Sequence, residues 1–103
     1  MQHAVFRSLD HFAIVVPDTE EALLTWRDLL GLKVTHTEDV NDGTVRLTLL
    51  DLGNTQLQLV QPLTEDHPLQ TWLKENGPGL HHFCLAVDDV AEAQAQLQAA
   101  RAQ

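Results

Sequence analysis

The stretch LDHFAIVVPDTEEA, from Leu9 to Ala22, reappears near the end of the chain as LHHFCLAVDDVAEA, from Leu80 to Ala93. At an offset of 71, seven of these 14 positions are identical: Leu9/Leu80, His11/His82, Phe12/Phe83, Val16/Val87, Asp18/Asp89, Glu21/Glu92 and Ala22/Ala93. A segment written twice is a structural unit used twice, so the repeat fixes the architecture before local propensities are weighed. Each copy begins as a strand. Phe12, Ile14 and Val16 alternate with His11, Ala13 and Val15, and Phe83, Leu85 and Val87 alternate with His82, Cys84 and Ala86. A period of two puts the bulky apolar residues on one face and a histidine with small residues on the other. Each strand leads into an Asp-x-x-Glu cap, Asp18 with Glu21 and Asp89 with Glu92, which marks a helix start.

The first helix carries an apolar stripe of Ala22, Leu23, Trp26, Leu29 and Leu30 and is expected to stop at Gly31. Three strands are expected next, over 33–40, 44–51 and 55–60, separated by the turn clusters Asn41-Asp42-Gly43 and Gly53-Asn54. A linking helix follows, with Asp66 near its cap, Pro68 in its first turn, Leu69, Trp72 and Leu73 facing inward, and Gly77-Pro78-Gly79 as its end. Residues 1–65 therefore read as a complete βαβββ module. Residues 66–103 read as the linking helix plus the first strand and helix of a second module that stops before its remaining strands, all within one α+β domain. The last helix offers only Ala93, Leu97 and Ala100 in a Gln/Ala-rich stretch, which predicts weak packing.

Composition removes several function classes. A chain of 103 residues holds one domain. Its formal charge of −9 and the lack of a Lys/Arg cluster leave no footprint for nucleic acid. No apolar run is long enough to span a bilayer, and the N-terminus has no secretory pattern, so a cytoplasmic protein is expected. Cys84 is the sole cysteine, which rules out an internal disulfide and a multi-cysteine zinc cluster.

Paired modules of this kind pack about a local two-fold axis, so a residue doubled by the repeat is a pair in space. His11 and His82 thus become candidates for one shared groove, with Gln58 on the same side of a central strand as a third donor. Two imidazoles and an amide oxygen suit an intermediate divalent ion such as Co, Mn, Ni, Zn or Fe. Plainer readings stand beside this one. Either histidine alone would be an ordinary structural residue, and Gln56 and Gln58 would be the polar face of an amphipathic strand. His81 is expected on the face of Phe83, and Cys84 as a small buried thiol. His3, His36 and His67 are expected at the surface, and Trp26 and Trp72 in the core. Arg46 and Thr48 are assigned to the groove side of the second central strand, where they either meet an anionic substrate or lie at an exposed edge.

The stretches LDHFAIVVPD, RDLLGL and LGNTQLQLVQPLTEDHPLQTWLKENGPGLHHFCLAVDD resemble the methylmalonyl-CoA epimerase family of the vicinal oxygen chelate (glyoxalase/bleomycin resistance/dioxygenase) superfamily. The resemblance runs from Leu9 to about Leu97. It implies paired βαβββ modules, a divalent ion, a small acyl-CoA thioester substrate and an epimerisation through a stabilised enolate. It also assigns metal ligands to His11, to Gln58 and, from the second His of GLHHF, to His82. The family's fourth ligand, a Glu on the last strand of the second module, has no counterpart in the sequence, nor is an opposing base placed. Activity is therefore expected only if further strands are supplied, and a homodimer or higher assembly is expected to cover the open side of the sheet. The alternatives are an inactive or ligand-binding glyoxalase-fold protein and a glyoxalase-like lyase.

Overall fold

A computed structural model describes residues 6–101; His3 lies outside this range. The elements run β1 (Ser8–Val15), α1 (Thr19–Leu23), β2 (Lys33–Val40), β3 (Val45–Asp51), β4 (Gln56–Pro62), α2 (Pro68–Asn76), β5 (Gly79–Ala86) and α3 (Val90–Arg101). They form the α+β fold expected from the repeat. The five strands make one sheet in the order β2-β3-β4-β1-β5. β1 lies parallel to β4 and antiparallel to β5. The two repeated strands are thus neighbours.

The doubled cap works twice in the same way. The Asp18 carboxylate accepts the backbone N–H of Glu21 at 3.0 Å, and Asp89 accepts that of Glu92 at 3.0 Å. Each satisfies an N–H that the helix itself leaves unpaired. Three successive left-handed residues, Asn41, Asp42 and Gly43, make the β2–β3 turn, where only Gly escapes a Cβ penalty and Asn and Asp tolerate it best. At α2 the cap is His67 rather than Asp66: its Nδ1 accepts the N–H of Leu69 at 3.0 Å, with Pro68 at the first helical position.

The first helix departs from its expected stripe. After Leu23 it widens into π-helical turns over Leu24–Leu29, with the Leu30 N–H donating to the Thr25 carbonyl five residues back. The wider turn breaks the helical phase, so Leu23 is buried while Leu29 and Leu30 are exposed. Leu32, Val34 and Leu52 pack at the edge of that core instead.

Each face of the sheet has its own core. Leu23 of α1, with Ala22 and Trp26 at its side, packs on Leu50, Leu57 and Leu59, joined by Phe12, Ile14 and Val16. On the opposite face Leu69, Trp72 and Leu73 of α2 cover Ala13, Val15, Val45 and Val60. Fully burying one such Leu or Val side chain contributes about 1.5–3 kcal/mol. α3 packs thinly, as expected: Ala93 is buried and Leu97 is exposed. No helix among the described residues is long and apolar enough to cross a membrane.

Candidate metal centre

The α2-covered face carries the candidate ligands. Ala13 is paired with Gln58 on its β4 side and with His82 on its β5 side. Residues paired across a ladder point to one face, so Gln58, Ala13 and His82 form a row. Neighbouring strands lie about 4.7–4.9 Å apart, which puts the backbones of Gln58 and His82 roughly 9–10 Å from each other with only a methyl group between them. His11, two residues before Ala13, shares this face and is itself flanked by Gln56 and Cys84. The rings of His11 and His82 lie 6.1 Å apart, with their planes at 79°. The structure thus brings His11, Gln58 and His82 to one side of the sheet around Ala13.

Two bulges set the rings. Between the pairs Leu9/Leu85 and His11/Cys84, β1 carries one extra residue, Asp10; between Ala13/His82 and Ile14/Leu80, β5 carries one extra residue, His81. Asp10 and His81 are repeat equivalents at the offset of 71. A bulge turns its extra residue toward the side of its neighbour. Accordingly Asp10 Oδ2 lies 2.8 Å from His11 Nδ1, and His81 Nδ1 lies 2.9 Å from His82 Nδ1. The Asp10 carboxylate accepts the Nδ1 proton and leaves Nε2 of His11 with its lone pair. A carboxylate behind a histidine is the usual way of fixing a ligand's tautomer and orientation. Thr55 supports the first bulge, its hydroxyl lying 2.8 Å from the Leu9 carbonyl and 3.1 Å from that of Asp10.

The bulge also corrects the expected position of His81. It does not share the face of Phe83 but stacks edge-on against Trp72 at 5.2 Å, on the α2 side, beside His82. His82 is exposed, yet its pKa is lowered from the ordinary imidazole value, first by desolvation of the ring and then by the neighbouring His81 and His11. The shift favours the neutral ring, the form in which an imidazole binds a metal.

Arg46 and Thr48 are corrected as well. Both lie on the α1-covered face, away from the histidines. Thr48 pairs with Leu59 and is buried beside the α1 core, and Arg46 holds the Asp39 carboxylate through Nε at 2.8 Å. That guanidinium keeps the Asp39 carboxyl below its usual range. The groove side of β3 is instead Val45, Leu47 and Leu49, opposite Pro62, Val60 and Gln58. Cys84 is exposed rather than buried. The residue that sequence reasoning passed over is Asp10, whose repeat partner is a histidine and which therefore left no identity to notice.

The family model described as the Glyoxalase/Bleomycin resistance protein/Dioxygenase superfamily matches residues 10–103. The mitochondrial methylmalonyl-CoA epimerase of Mus musculus is 37% identical over 86 residues, covering 82% of this chain and 48% of its own. The ethylmalonyl-CoA/methylmalonyl-CoA epimerase of Cereibacter sphaeroides is 38% identical over 95 residues, covering 91% of this chain and 71% of its own. Among solved structures, a variant of the Streptomyces coelicolor methylmalonyl-CoA epimerase in complex with 2-nitronate-propionyl-CoA superposes with a TM-score of 0.78 and 29% identity, covering 91% of this chain and 71% of that one. The chain spans about half the length of the mouse relative. By its match to the family model over residues 10–103, by sequence identity and by superposition, the chain belongs to the Glyoxalase/Bleomycin resistance protein/Dioxygenase superfamily, in the branch of the methylmalonyl-CoA epimerases.

Proposed function

We propose that the chain forms the metal-holding part of an epimerase of the methylmalonyl-CoA type, which inverts C2 of a malonyl thioester by removing and returning one proton. One arrangement carries this reading: His11, Gln58 and His82 ring the small Ala13 on the α2-covered face of the sheet. Two imidazole nitrogens and an amide oxygen fit an intermediate divalent ion, from Co, Mn, Ni, Zn or Fe. When bound, such an ion supplies Lewis acidity toward the adjacent oxygens of the thioester and carboxylate.

The chain's own residues do the positioning. Asp10 locks the His11 ring through Nδ1, His81 does the same for His82, and Ala13 leaves room between the donors for substrate oxygens. The groove side of β3, Val45, Leu47 and Leu49, offers no acid or base. The remaining carboxylate ligand and the proton-transferring pair are then contributed by a further segment or a second copy, in a cytoplasmic homodimer or higher assembly.

The test is solvent deuterium incorporation at C2 of methylmalonyl-CoA in D2O with added Co2+ or Mn2+. Exchange above the protein-free control, lost in His82→Ala, supports the epimerase. Tight thioester binding with no exchange would instead establish a ligand-binding protein, the reading that the apolar groove side of β3 favours.

A further inference from the structure

The local two-fold is symmetric in backbone and asymmetric in chemistry. On one side of it stand His81, His82 and, paired with His82, Ala13. Their equivalents on the other side are Asp10, His11 and, paired with His11, Cys84. The substitution of Ala13 by Cys84 and of His81 by Asp10 across the repeat puts three different donors in one place. The Asp10 carboxylate, a ring nitrogen of His11 and the Cys84 thiol all lie within 4.8 Å of one another.

From this cluster we infer a second, thiophilic metal site: Asp10, His11 and Cys84 bind Zn2+ through oxygen, nitrogen and sulfur, with water completing a tetrahedron. Zinc takes this mixed donor set, at about 2.3 Å to sulfur and 2.0–2.1 Å to nitrogen. Asp10 and Cys84 are exposed, which leaves their side chains free to rotate toward a shared ion. His11 is held in place by its strand, and the Asp10 bulge is pinned by the Thr55 hydroxyl. The Cys84 thiol gives its proton to solvent as the ion enters. Softness separates the two sites: a thiolate selects Zn2+, whereas Mn2+ prefers the oxygen and imidazole donors of His11, Gln58 and His82. Because both sets draw on His11, zinc at the thiolate site withdraws that imidazole from the other site and inhibits it. The inhibition rests on the proposed function; the thiolate site does not.

Co2+ as a spectroscopic stand-in for zinc tests the site. The wild-type chain and His82→Ala are both expected to give the near-ultraviolet thiolate-to-cobalt charge-transfer band, and Cys84→Ser and Cys84→Ala to lose it. Displacement of that band by Zn2+ reports zinc affinity, which Asp10→Asn, a change at a direct ligand, should weaken by at least about 100-fold, more than the 10- to 100-fold typical of second-shell changes. Circular dichroism confirms that each variant is folded. Absence of the band in the folded wild type, or its loss in His82→Ala, overturns the site. Mn2+ titration keeps the two readings apart: Cys84→Ser should bind Mn2+ as the wild type does. A wild type that gives the thiolate band but ignores Mn2+ would sink the function proposal while leaving this site standing.

Discussion

Phe12 of β1 stands directly opposite Phe83 of β5, and these two residues are also equivalent in the repeat. The local two-fold axis therefore passes between them. Flanking residues fall into matched pairs, His11 with Cys84 and Ala13 with His82, before bulges at Asp10 and His81 shift the register on either side. The bulges are thus part of the repeated unit, and each one delivers a hydrogen-bonding group to the histidine that follows it.

The first prediction concerns the Asp10 support. Asp10→Asn keeps the shape but weakens the interaction behind His11. Second-shell changes of this kind cost about 10- to 100-fold in metal affinity, and calorimetric titration with Mn2+ should show a loss in that range. An unchanged affinity would mean that the 2.8 Å contact to Nδ1 has no role in binding.

Thr48 supplies a prediction about stability. Its Oγ1 is buried without a hydrogen-bond partner on the α1 side of β3. A buried unsatisfied polar group costs about 1–3 kcal/mol, so Thr48→Val, similar in shape, should stabilise the fold by up to that amount. For a domain of this size each kcal/mol raises Tm by about 4–8 °C. By contrast Leu59→Ala, at a fully buried position, should cost about 2–5 kcal/mol. Urea and thermal melts of both variants check the pair.

A third prediction follows from the lowered pKa of His82. Between the depressed folded value and the ordinary 6.5, the unfolded chain holds more protons on this residue than the folded one. Its contribution to stability is present above 6.5 and is lost as pH falls through the folded value. Metal-free urea melts over an acidic pH series should therefore show a decline that is shallower in His82→Gln.

Phe83 and Leu80 on β5 are 61% and 60% exposed, and Phe83 faces away from the histidines. Exposed apolar side chains on an edge strand favour association through that edge. Sedimentation at micromolar concentration should give a dimer or larger species, shifted toward monomer by Phe83→Ser. A monodisperse wild-type monomer would remove the proposed assembly.

Much of this molecule was legible because the repeat pairs residues without any knowledge of register. His11 and His82 followed from identity at a fixed offset, and Gln58 from alternation with Leu57 and Leu59. Alternation alone, however, gives two faces without saying which is which. In β3 the two faces are Val45, Leu47 and Leu49 against Arg46, Thr48 and Leu50, and only the pairing of Thr48 with Leu59 and of Leu50 with Leu57 shows that Arg46 and Thr48 turn toward α1. A reading of the Gly53-Asn54 turn as a register marker would have paired those leucines. The bulges at Asp10 and His81 leave no such trace. They are seen only where β1 pairs with β5, a tertiary relationship that neither strand shows by itself.

Mn2+ binding by the wild type and His82→Ala tests the shared site most directly, because the two histidines sit on strands far apart in sequence and meet only through the β1–β5 pairing. Isothermal titration should show a saturable Mn2+ site in the wild type that His82→Ala and His11→Ala each weaken by at least about 100-fold, a larger loss than the 10- to 100-fold typical of second-shell changes. Equal Mn2+ affinity in the wild type and in both folded variants would contradict the shared site around Ala13.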